Sequence, residues 1–298
     1  TGVLRVGCTL GLDRWRPAFE FSGERFRLLF GFGAWLALGQ AVTLVARQMY
    51  TLAIGRLYTP ADLGVFNRAI NTRGMPQTFI NNVYVSVAFP VLSRHSADPP
   101  RLRRALSEGL VAAAAIHLPV MVGMALVAEN LVPVAFGPNW GAVVPYLQVL
   151  CLAAIPWLVN QATGNALRAL GEARLYFWLQ LLLQGLFIVM VLSTAPFSLT
   201  LLAWGMVGME LLSLLVLAAV SHRLLGYGLG AQLRDLAPFL VLTAIMAVVV
   251  LGQRALVELE SNIANLLLST AVGVAAYGVP LALVRPAMVQ QVLRPFKG

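Results

Sequence analysis

Eight stretches of this chain are each long and apolar enough to cross a lipid bilayer, and no other feature restricts the fold as severely. A hydrocarbon core of about 30 Å takes roughly 20 consecutive, mainly apolar helical residues to cross. Runs of that kind lie near 28–53, 64–92, 106–129, 143–165, 175–195, 200–221, 236–253 and 263–284. They are too long for strands and show no period-two alternation, so the spanning element is expected to be helical. Turn chemistry separates them: Tyr58-Thr59-Pro60-Ala61-Asp62 after the first, Phe136-Gly137-Pro138-Asn139-Trp140 after the third, Ala195-Pro196-Phe197 after the fifth. Long helices joined by short corners predict antiparallel neighbours. Only 11% of the residues are charged, against about a quarter in a soluble domain. The expected class is therefore an all-α integral membrane protein with about eight transmembrane helices.

The net charge of +9 comes from 20 arginines and a single lysine, Lys297. They are scattered singly between apolar runs, which argues against a nucleic-acid surface and against a lysine-rich lipid anchor. Sixteen of the 21 basic residues fall on one set of loops and tails, only Arg56 and Arg254 fall on the other, and Arg47, Arg68 and Arg73 lie inside the first two helices. Since cytoplasmic loops collect Arg and Lys, both termini are predicted to be cytoplasmic. Residues 12–27 carry Trp15, Phe19, Phe21 and Phe26 among seven charges, a pattern suited to a segment along the membrane interface. The chain starts at Thr1, its first methionine is Met49, and no signal-peptide pattern is present, so it reads as a fragment.

Function is sought where polarity persists at membrane depth. On the first helix Gly33, Gln40, Thr43, Arg47 and Thr51 share a face; on the second Asn67, Asn71, Thr78 and Asn82 do, flanked by Arg68 and Ser86 and opposed by Val65, Ala69, Pro76, Ile80, Val83 and Val87. A charge at the bilayer centre costs roughly 2.5–3.5 kcal/mol on insertion scales, so Arg47, Arg68 and Arg73 require a compensating environment. Two alternatives stand for each: snorkelling to the interface, or lining a cationic cavity that accepts an anionic headgroup. Guanidinium suits phosphate because its planar fork donates two hydrogen bonds at once. The amides Gln40, Asn71, Gln77, Asn81 and Asn82 suit sugar hydroxyls, although amides also join helices. The fourth helix adds Asn160, Gln161 and Asn165, and the fifth Tyr176, Gln180 and Gln184. Glu210, mid-span in the sixth, is a candidate coupling-ion or proton site, an arginine partner, or a neutral hydrogen-bonding acid. Pro76, Pro90, Pro119, Pro145 and Pro156 are expected to kink or break their helices.

Other chemistries lack their signatures. No P-loop occurs, and Gly226-Tyr227-Gly228-Leu229-Gly230 has no strand before it, so it reads as a flexible turn. Cys8 and Cys151, like His95, His117 and His222, are too dispersed for a disulfide framework or a metal site, and His117 is expected to be packed in the core. Asp13, Asp62, Asp98 and Asp235 are isolated, and the close pair Glu258 and Glu260 falls on a loop, so no enzyme site, metal or cofactor is expected.

Several segments in order carry a resemblance. They are Ala46-Arg47-Gln48-Met49-Tyr50-Thr51-Leu52-Ala53-Ile54-Gly55-Arg56-Leu57, Leu63-Gly64-Val65-Phe66-Asn67-Arg68-Ala69, Phe89-Pro90-Val91-Leu92-Ser93-Arg94, Arg101-Leu102-Arg103-Arg104-Ala105, Phe136–Trp140 and Ala166-Leu167-Arg168-Ala169-Leu170-Gly171. Together they resemble the carboxyl-terminal half of the polysaccharide-transporter flippases of the multidrug/oligosaccharidyl-lipid/polysaccharide exporter superfamily. The resemblance implies a two-lobe transporter that flips polyprenyl-pyrophosphate-linked oligosaccharide in a bacterial inner membrane, beside a polysaccharide polymerase or glycosyltransferases. Residues 1–27 would then be an inter-lobe linker, 28–221 the second six-helix lobe, and 222–298 two additional helices and a tail. It places Arg47, Arg68, Arg73, Gln40, Asn71, Asn82, Asn160 and Gln161 around a cationic cavity. Where such flippases often carry an acidic residue this chain reads Met49-Tyr50-Thr51. A multidrug or cation antiporter of the same superfamily, and a non-transporting scaffold of a polysaccharide-synthesis complex, are the competing readings.

Overall fold

The computed structural model describes residues 22–257 and 259–284. Most of the expected interfacial segment, the carboxyl-terminal tail and Glu258 lie outside the described residues. Eight long helices follow one another: α1 Gly23–Leu57, α2 Pro60–Arg94, α3 Pro99–Phe136, α4 Val143–Ala169, α5 Ala173–Thr194, α6 Leu199–Leu225, α7 Leu229–Leu256 and α8 Asn262–Val284. A single 3-10 turn, Pro138–Trp140, joins α3 to α4, and no strand occurs among the described residues.

The helices overrun most of the apolar runs because their ends are capped by the corner residues. Thr59 begins α2 with a reciprocal capping box: its hydroxyl accepts the Asp62 N–H at 3.2 Å, and the Asp62 carboxylate accepts the Thr59 N–H at 3.1 Å, with Pro60 in the first turn. Asp98 accepts the Arg101 N–H at 3.2 Å ahead of α3, and Ser198 accepts the Leu201 N–H at 3.0 Å ahead of α6. Gly226, at φ 63°, ends α6 in the left-handed conformation that favours glycine. The helices run on through Pro76, Pro90, Pro119 and Pro156, so none of these breaks its helix. Pro145 lies in the first turn of α4, where a missing N–H costs nothing.

By length and composition six helices, α3 to α8, qualify as membrane spans. Helices α1 and α2 are as long, and in α2 the polar residues noted above interrupt the apolar run. The protein is a multi-pass, all-helical membrane protein. Its outward-facing apolar residues agree: Val189, Val248, Leu267 and Val274 are each more than 60% exposed, as expected of side chains that contact lipid.

Helix α4 is the centre of the bundle, packed against α2, α3 and α6. Its buried Ala153, Ala154, Ala162 and Ala166 let those neighbours approach closely. Helix α1 packs on α5, where Trp35 meets Phe177 at a ring separation of 5.0 Å, and it touches α2 only sparingly. Helices α7 and α8 pair with each other and lie against α3. Two apolar clusters fill most of the interior. One joins Leu92, Leu102, Leu106 and Phe239 at the arginine-rich end; the other joins Ile54, Phe66, Val132, Leu147 and Leu202 toward the opposite end.

Candidate functional site

Near the midpoints of four helices lies a layer of polar side chains. Arg73 comes from α2, His117 from α3, Asn160 from α4 and Glu210 from α6. The Asn160 amide donates to the Glu210 carboxylate at 2.8 Å and to the Glu210 backbone carbonyl at 3.1 Å, binding α4 to α6. Arg73 donates to the Leu150 carbonyl at 3.4 Å, and its guanidinium attracts the Glu210 carboxylate without entering direct ion-pair contact. Buried Arg73 Nε and Asn160 Oδ1 have no hydrogen-bond partner among the described residues. The cluster thus holds a donor and an acceptor in reserve, where an unsatisfied polar group is expensive.

Arg47 approaches from α1: it is exposed, yet its charge acts on both Arg73 and Glu210. The two positive groups and one carboxylate leave this layer with net positive character. Arg68 is placed differently. Its guanidinium lies 4.7 Å from the Phe136 ring centroid and 4.9 Å from that of Trp140, so it ties α2 to the corner between α3 and α4. Glycine and aromatic residues in that corner make the notch: Gly137, at φ 93°, turns the chain so that Phe136 and Trp140 stand 6.4 Å apart.

The polar faces of α1 and α2 are open. Gln40, Asn71 and Asn82 are exposed, as are Thr78 and Ser86. The second-helix face differs from its sequence expectation in one respect. Val83 and Val87, assigned to the apolar stripe, are 36% and 54% exposed beside Asn82 and Ser86, whereas Gln77, counted among the sugar-facing amides, is buried. The physical reason is that α2 turns Phe66, Ala69, Ile80 and Tyr84 onto α4 and α3, and Gln77 falls on that packed side. The open face is consequently amphipathic, with Met75 and Phe79 among the amides.

Other polar residues have local partners. Gln161 is half-buried on α4; Asn165 accepts from Arg168 at 2.5 Å; Gln180 donates to the Tyr176 hydroxyl at 2.8 Å. His117 is fully buried, donates Nε2–H to the Ala154 carbonyl at 2.8 Å and stacks on Trp157, so it is packed in the core as expected. Two groupings escaped sequence reasoning. Arg254 pairs with Glu129 and donates to the Leu126 carbonyl at 2.5 Å, joining α7 to α3. Asp235, isolated in sequence, accepts from Ser107 at 2.5 Å and from Tyr227 at 2.7 Å. The glycine-bracketed Tyr227 is 2% exposed, so that segment is an anchored corner rather than a flexible turn. Only the i, i+8 spacing of Tyr227 and Asp235 on adjoining elements hinted at this.

Residues 2–145 match the family described as polysaccharide biosynthesis protein. The teichuronic acid biosynthesis protein TuaB of Bacillus subtilis is 26% identical over 242 residues, 80% of this chain and 50% of that protein. The succinoglycan biosynthesis transport protein ExoT of Rhizobium meliloti is 22% identical over a stretch covering 98% of this chain and 60% of that protein. The chain thus resembles polysaccharide biosynthesis and transport proteins over most of its length. Among solved structures, the inward closed conformation of the lipid II flippase MurJ superposes with a TM-score of 0.70 at 14% identity, over 96% of this chain and 60% of that one. The chain therefore shares the MurJ fold. It spans about half the length of TuaB, and the shared fold does not by itself transfer an activity.

Proposed function

We propose that this chain forms the carboxyl-terminal part of a flippase that moves polyprenyl-pyrophosphate-linked oligosaccharide across a bacterial inner membrane by alternating access. The observation that carries the reading is the half-height layer in which Arg73 keeps an unpartnered nitrogen beside Arg47. A half-buried guanidinium at membrane depth offers pyrophosphate the planar donors it needs. Gln40, Asn71 and Asn82 then face the sugars, joined by Asn160 and Gln161 from α4, while Met75 and Phe79 supply apolar surface. Arg68, held between Phe136 and Trp140, borders this face. Six helices, 28–221, would form the second lobe and 222–298 an added pair and tail, with both termini cytoplasmic. Lipid-linked oligosaccharide is the proposed cargo, a polymerase or glycosyltransferases are the proposed neighbours, and no catalytic step is assigned to the protein.

Glu210 has a second role in this reading. Its carboxylate is the acidic partner of Arg73, and it also gives the layer a group able to exchange a proton or cation as the cargo anion arrives. The test is restoration of surface polysaccharide by the full-length protein in a strain lacking it. Substituting Arg47 and Arg73 by glutamine should abolish export while the protein stays in the membrane. Full export by that variant would end the flippase reading in favour of a scaffold, and export of small cations in place of polysaccharide would favour an antiporter.

A further inference from the structure

The arginine-rich end of the bundle carries an open groove of about 1040 Å³ between the first turns of α3 and α7, well away from the half-height layer. That volume is comparable to the upper end of ordinary ligand pockets, roughly 300–1,000 Å³. Arg103 and Arg104 line one wall and Arg234 the other, all three exposed. The floor is built from hydrogen bonds between elements distant in sequence. Ser107 on α3 and Tyr227 in the α6–α7 corner both donate to Asp235 on α7, at 2.5 Å and 2.7 Å. Burial pushes the Tyr227 hydroxyl well above the ordinary tyrosine range, which keeps it a proton donor to that carboxylate.

This arrangement answers the one negative group in the groove and leaves the guanidiniums in excess. Arg103 lies over the Tyr227 ring at 5.8 Å. Arg104 has an exposed ion pair with Glu108 at 3.6 Å, the kind that adds little and exchanges readily. Helix α7 has no side-chain N-cap, and its first-turn Gly230 and Ala231 also line the groove, adding partial positive charge.

We propose that this groove binds the phosphate of an anionic phospholipid headgroup from the adjoining leaflet, bridging α3 to α7 and so docking the α7–α8 pair on the other six helices. The chemistry required is that of a phosphoryl anion, which inorganic phosphate shares. The leaflet is the source because the groove opens at the helix ends, where headgroups lie, and basic pockets between membrane helices recruit such lipids. The proposal does not depend on what crosses the membrane.

The test uses the full-length protein in nanodiscs of phosphatidylethanolamine, with or without phosphatidylglycerol, read by lipids retained in native mass spectra and by Tm. Wild type should retain phosphatidylglycerol several-fold over phosphatidylethanolamine and unfold at higher temperature in its presence. Both effects should fall toward unity and zero in the Arg103→Gln/Arg104→Gln/Arg234→Gln variant. Arg234→Gln alone, at an exposed position, keeps the test sound should the triple variant fold poorly, and should lower the preference by itself. Equal retention of the two lipids by wild type, or an undiminished preference in the variants, would overturn the proposal. So would stabilisation by inorganic phosphate in phosphatidylethanolamine discs to the extent that phosphatidylglycerol gives, because the source would then be a free anion.

Discussion

Arg68 and Arg73 stand five residues apart on the same helix and carry the same group; Arg68 lies near the start of its apolar run and Arg73 deeper in it, and the structure gives them opposite environments. Arg68 is held by two aromatic faces at the corner between α3 and α4. Arg73 reaches into the polar layer, contacts one backbone carbonyl and faces Glu210 from beyond ion-pair distance. Five residues are about 7.5 Å of helix rise, enough to pass from the bundle's rim to its half-height. The surroundings of a helical arginine thus follow from its height and from what the neighbouring elements present there.

The largest effect should come from breaking the deeper site. Arg73→Ala in the full-length protein is expected to lower polysaccharide export by roughly 10- to 100-fold, since a hydrogen bond to a charged group is worth about 1.5–3 kcal/mol. Arg73→Lys should recover part of that loss, because it keeps the charge and gives up the fork. Surface polysaccharide at matched membrane levels is the readout, and wild-type export by the alanine variant would remove Arg73 from the site.

Glu210→Gln sharpens the comparison by separating charge from packing. The glutamine oxygen still accepts from Asn160, so stability should change by less than about 1 kcal/mol, while dependence of transport on the proton or sodium gradient should disappear. Retained gradient dependence in reconstituted vesicles would make Glu210 a purely structural partner.

Arg68→Ala should behave in the opposite sense to Arg73→Ala. The lost aromatic contacts predict a stability decrease of about 1–2 kcal/mol, seen as a Tm lower by a few degrees, with export reduced far less. If export falls as far as in Arg73→Ala while Tm is unchanged, the distinction between rim and half-height is lost. Asn82→Ala, on the open face, is expected to leave stability within about 0.5 kcal/mol and to lower export by a small factor, at most about tenfold. A destabilised Asn82→Ala protein would show that this face is packed against another part of the complete transporter.

Helix number, order and approximate bounds were legible in the sequence because the bilayer imposes a length and a polarity on every crossing segment. The candidate site was legible only as a set of residue types. Arg73, Asn160 and Glu210 were each singled out, but their convergence depends on α4 lying between α2 and α6, which no local pattern states. Gln77 and Asn82 look alike on paper, and the face that α2 turns toward α4 buried the first and left the second open.

The sequence by itself determined that this chain is a helical, multi-pass membrane protein with misplaced polarity in its first two helices, because hydrophobic length and charge are summed along the chain. Which polar groups meet was decided by the tertiary structure alone. Hydrogen bonds and ion pairs act over a few ångströms, and residues such as Ser107, Tyr227 and Asp235 come within that reach only after the helices pack.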